Sequence, residues 1–154
     1  MTDEELLTRI KNFKDNKDAR ETEIKNHFAD VCDKLLARKD DVAAMSKLIR
    51  PAEEAGISFF SQFCTLDISL YCYTLGSDFT RNYGVKFGNV LLTEFGLFTI
   101  YGYPTADNQN NAPEPLTARD VHTASKYTSN AEALLAGLDD VFKEVRDRIV
   151  EATK

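Results

Sequence analysis

Glu23, His27 and Asp30 stand four and three residues apart. On a helix this spacing puts two carboxylates and an imidazole on one face, a set able to ligate a metal or move a proton. A metal would need a second ligand-bearing segment. His122 is the one other histidine, and nothing in the spacing brings it to His27. With Lys34 four residues beyond Asp30, the same face reads as a solvated charged surface. No metal and no cofactor is expected.

The cysteines are Cys32, Cys64 and Cys72, an odd set with no Cys-x-x-Cys pair. A nucleophilic thiolate needs a base and electropositive surroundings. Cys64 and Cys72 sit among apolar residues and Cys32 adjoins Asp33, so all three read as buried free thiols of a reducing, cytoplasmic protein. "DNQNN" (Asp107 to Asn111) places Asp107, Gln109 and Asn111 at alternate positions, as calcium loops do. However, Ala112 stands where such a loop needs glycine, and no glutamate follows at the required distance. There is no Gly-x-Ser-x-Gly elbow, phosphate loop or dinucleotide fingerprint. The balance favours a non-enzymatic protein.

The strongest binding constellation is aromatic. Tyr71, Tyr73, Tyr83, Tyr101 and Tyr103 combine apolar faces with polar tips, which suit both ligand pockets and protein interfaces. Arg81 and Lys86 are the only cations between residues 51 and 116, against seven carboxylates. Tyr71, Tyr73, Arg81, Tyr83, Tyr101 and Tyr103 are therefore the candidate site residues. The competing reading is that these rings are plain core.

These residues have to be positioned by the elements around them. Residues 1–50 contain neither Gly nor Pro. Leu6, Ile10, Phe13, Lys17, Arg20, Ile24, Phe28, Val31, Leu35, Arg38, Val42, Met45 and Ile49 follow one another at three or four residues, a heptad-like seam with three cationic positions. The polar run "KDNKDARE" (Lys14 to Glu21) leaves two options: one long helix, or a short helix from Asp3 to Phe13 followed by a long one from about Asp18 to Arg50. Pro51 is expected in the first turn of a new short helix that Gly56 ends.

"ISFFSQFCTLDISLYCYTLG" (Ile57 to Gly76) fits helical and strand periodicity alike. It is rich in Phe, Tyr, Ile, Thr, Ser and Cys and lacks Ala, Glu, Lys, Arg and Met up to Leu75, so Leu66–Leu75 is expected as a strand. Residues 57–63 are open between strand and helix. A turn follows at Gly76–Asp78, then a strand in "FTRNYGVKF", a hairpin at Gly88-Asn89 into "VLL", and a strand over Leu97–Tyr103. Short links of this kind make an antiparallel sheet.

Pro104 to Thr117 reads as a polar loop, with Thr117 as cap of a final helix that Ser129 or Asn130 could restart. Ala131, Leu134, Leu138, Val141, Val145 and Ile149 give that helix an apolar stripe, widened by Leu135 and Phe142.

The expected fold is α+β: an antiparallel sheet of about four strands, with long N- and C-terminal helices on one face. The expected organisation is a single domain over 1–154, with 1–56 helical, 57–103 sheet, 104–116 loop and 117–154 helical. The chain has 154 residues and a net charge of −6. That charge disfavours nucleic acid and anionic membranes as partners, and no apolar run suits a membrane span. The expected role is an interaction protein (adaptor, inhibitor or chaperone-like) with a protein partner, itself a homo-oligomer, most simply a dimer. The alternative is a small-molecule site between the sheet and the C-terminal helix.

Overall fold

The computed structural model describes residues 1–59, 68–75, 80–100 and 113–154. The architecture is α+β, as the sequence implies. Among the described residues, three helices, α1 (Asp3–Leu36), α2 (Lys39–Glu54) and α3 (Val121–Ala152), accompany strands β1 (Ile68–Tyr73), β2 (Asn82–Phe87), β3 (Val90–Thr93), β4 (Gly96–Thr99) and β5 (Glu114–Pro115). The strands form an antiparallel sheet in simple sequential order.

α1 is continuous through the polar run at 14–21, so the one-helix option holds there. Its start is a capping box. The Glu5 N–H donates to Thr2 Oγ1 at 3.2 Å, and the Thr2 N–H donates to Glu5 Oε2 at 2.9 Å. Asp3, Glu4 and Glu5 add favourable charge to the same end. The break falls instead at Ala37–Arg38, where the chain tightens and the Arg38 N–H reaches Leu35 O at 2.9 Å. Pro51 does not open a new helix. It sits in the last turn of α2. Gly56, at φ +93°, closes α2 with the paired bonds Gly56 N–H to Glu53 O and Ile57 N–H to Ala52 O. This is the left-handed termination that only glycine adopts without strain.

β1 and β2 lie within the expected strands, and the Gly88-Asn89 hairpin joins β2 to β3. β5 is a short strand in the segment read as loop, paired Phe98 to Pro115 and Thr99 to Glu114. Asp120 rather than Thr117 caps α3, accepting from the Thr123 N–H at 2.8 Å, and α3 runs unbroken through Ser129 and Asn130. The calcium-like stretch at 107–112 and the turn at 76–78 lie outside the described residues.

The helices cover one face of the sheet. Phe28, Val31 and Leu35 of α1, Val42, Met45 and Ile49 of α2, and Ala131, Leu134, Leu138, Val141 and Val145 of α3 share a core with Ile68, Leu70, Tyr83, Val85, Val90 and Leu92. α3 approaches β1 at Gly137, where a Cβ would collide with Ile68 Cδ1. The sheet's other face carries a second buried cluster of Tyr73, Leu91 and Ile100, with Tyr71, Leu75 and Phe98 against it. Contacts between His27 and Glu132 and between Arg38 and Asp139 advance together along both chains, so α1 and α3 run in the same sense.

Candidate functional site

Strand alternation divides the expected constellation. In the β1–β2 register Tyr83 lies opposite Cys72, while Tyr71 lies opposite Gly84 and Tyr73 opposite Asn82. Tyr83 therefore faces the helices, whereas Tyr71 and Tyr73 face the other way. Tyr101 and Tyr103 lie outside the described residues.

On the face turned away from the described helices, the Lys86 ammonium stands 5.2 Å from the Tyr71 ring centroid. Burial lowers the Lys86 pKa and raises that of Tyr71. Burial also pushes the Tyr73 phenol up to about 12. Among the described residues its oxygen has no partner in good hydrogen-bond geometry. The neighbouring Thr93 hydroxyl is committed to Gly96 O at 3.1 Å and to the Phe95 N–H at 3.0 Å.

Arg81 and Tyr83 do come together, but against α2 rather than α3. Ser46, Arg50 and Glu53, four and three residues apart, form a polar stripe of α2 beside residues 81–83. Ser46 Oγ donates to Tyr83 O at 3.1 Å, and the Arg50 guanidinium donates to Arg81 O. The Tyr83 hydroxyl donates to the Glu53 carboxylate, which also lies 3.7 Å from the Arg81 guanidinium. Burial and then the bond to Glu53 push the Tyr83 phenol up to about 12. A cleft of about 270 Å³ opens alongside, lined by Ser46, Lys47, Arg50, Asn82, Tyr83 and Glu94. Charges of both signs line it, and the Arg50 guanidinium and the Ser46 hydroxyl already serve the α2–β2 junction. Sequence reading missed Ser46, Lys47, Arg50 and Glu53, although their helical spacing was available as a signal.

A smaller cleft, about 170 Å³, does separate the sheet from the start of α3, between Thr99, Arg119, Thr123 and Tyr127. None of the four described site residues, Tyr71, Tyr73, Arg81 and Tyr83, lines it. Further along, the sheet–α3 interface is filled by Ala131, Leu134, Leu138 and Val141, each fully buried.

His27 pairs with Glu132 of α3 rather than with Glu23, Asp30 or His122. Among the described residues, no three His, Cys, Asp or Glu side chains converge as a metal site would require. Cys32 is pushed up to about 11 by burial and by Asp33, which suits a thiol that stays protonated. Cys72 is likewise raised, chiefly by burial. Cys64 lies outside the described residues.

The most unusual feature is the first half of α1. Residues 1–20 are exposed without exception. Residues 3–20 form an arm about 27 Å long that contributes no buried residue to the described core. The seam that buries Phe28, Val31 and Leu35 further along leaves Leu6, Ile10 and Phe13 bare, at 44%, 63% and 73% exposure, with Leu7 beside them at 65%. Together these four expose roughly 450 Å² of mainly apolar surface, comparable to the largest patch of an ordinary monomer, which is often functional. Lys17 and Arg20 continue the seam toward the body. No described helix is long and apolar enough to cross a membrane.

No protein-family model matches the chain, and no curated protein and no solved structure is significantly similar to it.

Proposed function

We propose that the chain is a non-enzymatic interaction protein that presents the α1 arm to a protein partner. One observation carries this reading. An apolar stripe that is core over Phe28–Leu35 continues uncovered through Leu6, Leu7, Ile10 and Phe13. Helix-in-groove and helix-on-helix recognition use such stripes, with anchors at three- and four-residue intervals. An unsupported helix of this length is marginal in water, so partner contact would also stabilise it. The capping box and the acidic first turn hold the arm ready, which lowers the ordering cost of binding.

The test is affinity capture with the full chain and with an Ile10→Asp/Phe13→Asp variant, each first checked for native helix content. The reading predicts a stoichiometric protein bound by the wild type and lost in the variant. Identical captured proteins in both would refute it.

A second reading, a small-molecule site, draws on a neighbouring α2–β2 cleft of about 370 Å³, where Arg81 and Tyr83 of the expected set converge with Arg50 and Glu53. It predicts a mass adduct on the native protein that disappears with Arg81→Ala/Tyr83→Phe. An adduct that survives both changes would exclude this cleft.

A further inference from the structure

We infer that the arm's occupant is a second copy of this chain, paired antiparallel along residues 3–20. The inference rests on reading the arm as a partner surface and adds the identity and direction of the partner.

The charge order along the arm points to it. Asp3, Glu4 and Glu5 form an acidic tip, while Arg9, Lys11, Lys14, Lys17 and Arg20 outnumber Asp15 and Asp18 behind it. A parallel pair would set acidic tip against acidic tip and place Lys17 and Arg20 against their own copies within the seam, where like charges repel. Reversing one copy removes both conflicts. With Ile10 facing Phe13 of the partner at the centre, Leu6 comes level with the partner's Lys17 and Asp3 with the partner's Arg20. The cationic side chains then lay their aliphatic stems over the apolar ends of the stripe and direct their charges at the acidic tip. The two cations that interrupt the seam become its register marks. The arrangement is two-fold symmetric and closes on itself, so it ends at a dimer.

Size sets the expected strength. Two arms of this length bury roughly 1,000 Å² in total, at the lower limit for a specific interface. The dimer is therefore expected to be a weak, reversible one, to be sought at micromolar concentrations and above.

The experiment is sedimentation equilibrium of the full chain from about 1 to 200 µM, a range that brackets such an affinity. Three charge variants accompany the wild type: Asp3→Lys/Glu4→Lys, Lys17→Glu/Arg20→Glu, and all four substitutions together. Glu5 is left in place, so the capping box survives. The expected result is a monomer–dimer equilibrium that each pair of substitutions weakens at least tenfold and that the combination largely restores. Restoration by the four-fold variant is specific to the antiparallel pair, because in a parallel pair it would again oppose like charges. Weakening without restoration, or a dimer indifferent to all three variants, would overturn the proposal. A wild type that stays monomeric at every concentration would also overturn it. That result leaves the capture experiment to decide separately whether the arm binds a different protein.

Discussion

Ile10 and Phe28 stand 18 residues apart on α1, about five helical turns, and so project from the same side of the helix. Phe28 is 1% exposed and Ile10 is 63% exposed. One stripe thus does two jobs: its C-terminal half builds the core with α3 and the sheet, and its N-terminal half has no cover within the described chain. The functional reading follows from that contrast.

Because residues 1–20 contribute nothing to the core, the rest of the fold should not need them. Deleting them is expected to leave the melting temperature of a dilute sample within about 2 °C of the intact chain. Thermal melting followed by near-UV circular dichroism, which reports the aromatic core, checks this. A drop of 10 °C or more would mean that the arm packs on the body.

Arg38 holds the α1–α2 break against α3. Its guanidinium donates to Asp41 Oδ2 at 2.7 Å and to Asp139, and stacks 5.5 Å from the centroid of Phe142. The bonds to Asp139 and Asp41 raise its pKa, so it stays charged throughout. Arg38→Ala is expected to cost about 1–2 kcal/mol in urea unfolding, and Arg38→Met, which keeps the stem over Phe142, less. Equal losses for the two variants would show that the charge alone matters.

Gly137 sets the distance between α3 and β1. Gly137→Ala gains helix propensity but drives a methyl into Ile68, which is buried, and should be net destabilising by about 1 kcal/mol. Ile68→Val removes the colliding methyl, so the double variant should recover most of the loss. Chemical denaturation of the four proteins of the cycle would measure it. Strict additivity would disprove the contact.

Tyr73 and Tyr83 both have phenols raised from 10.0 to about 12. A raised pKa means that the folded state favours the neutral phenol. Their contribution to stability is therefore complete below pH 10 and is lost as pH climbs through 12. Ultraviolet titration should show these two tyrosines ionising late, with alkaline unfolding close behind. Tyr73→Phe also removes a buried hydroxyl without a well-placed hydrogen-bond partner among the described residues, and should stabilise the protein by about 1 kcal/mol. Ionisation of all six tyrosines near pH 10 in the folded protein would contradict both assignments.

Much of the fold could be read from residue pattern. The stripe from Phe28 to Ile49, the apolar face of α3, the Gly88-Asn89 hairpin and the glycine stop at Gly56 each follow from local chemistry. The helix break at Arg38 did not, because no Gly or Pro marks it; tertiary bonds to Asp139 and Phe142 do. β5 was missed because two residues, one of them proline, carry almost no strand signal and depend on pairing with β4.

The site was less legible for a different reason. Periodicity shows which residues share a face but not whether that face is covered, so Ile10 and Phe28 look alike in sequence. Likewise, separating Tyr83 from Tyr71 and Tyr73 required the β1–β2 register, which parity within either strand alone does not supply.

Amide hydrogen exchange across the arm tests the central claim most directly. In the full chain, the account predicts fast exchange over residues 3–20 in dilute solution and protection that grows with protein concentration. Residues 28–35, already packed on α3, should be slow at every concentration. Equal, unprotected exchange over 3–20 at all concentrations would contradict pairing of the arms.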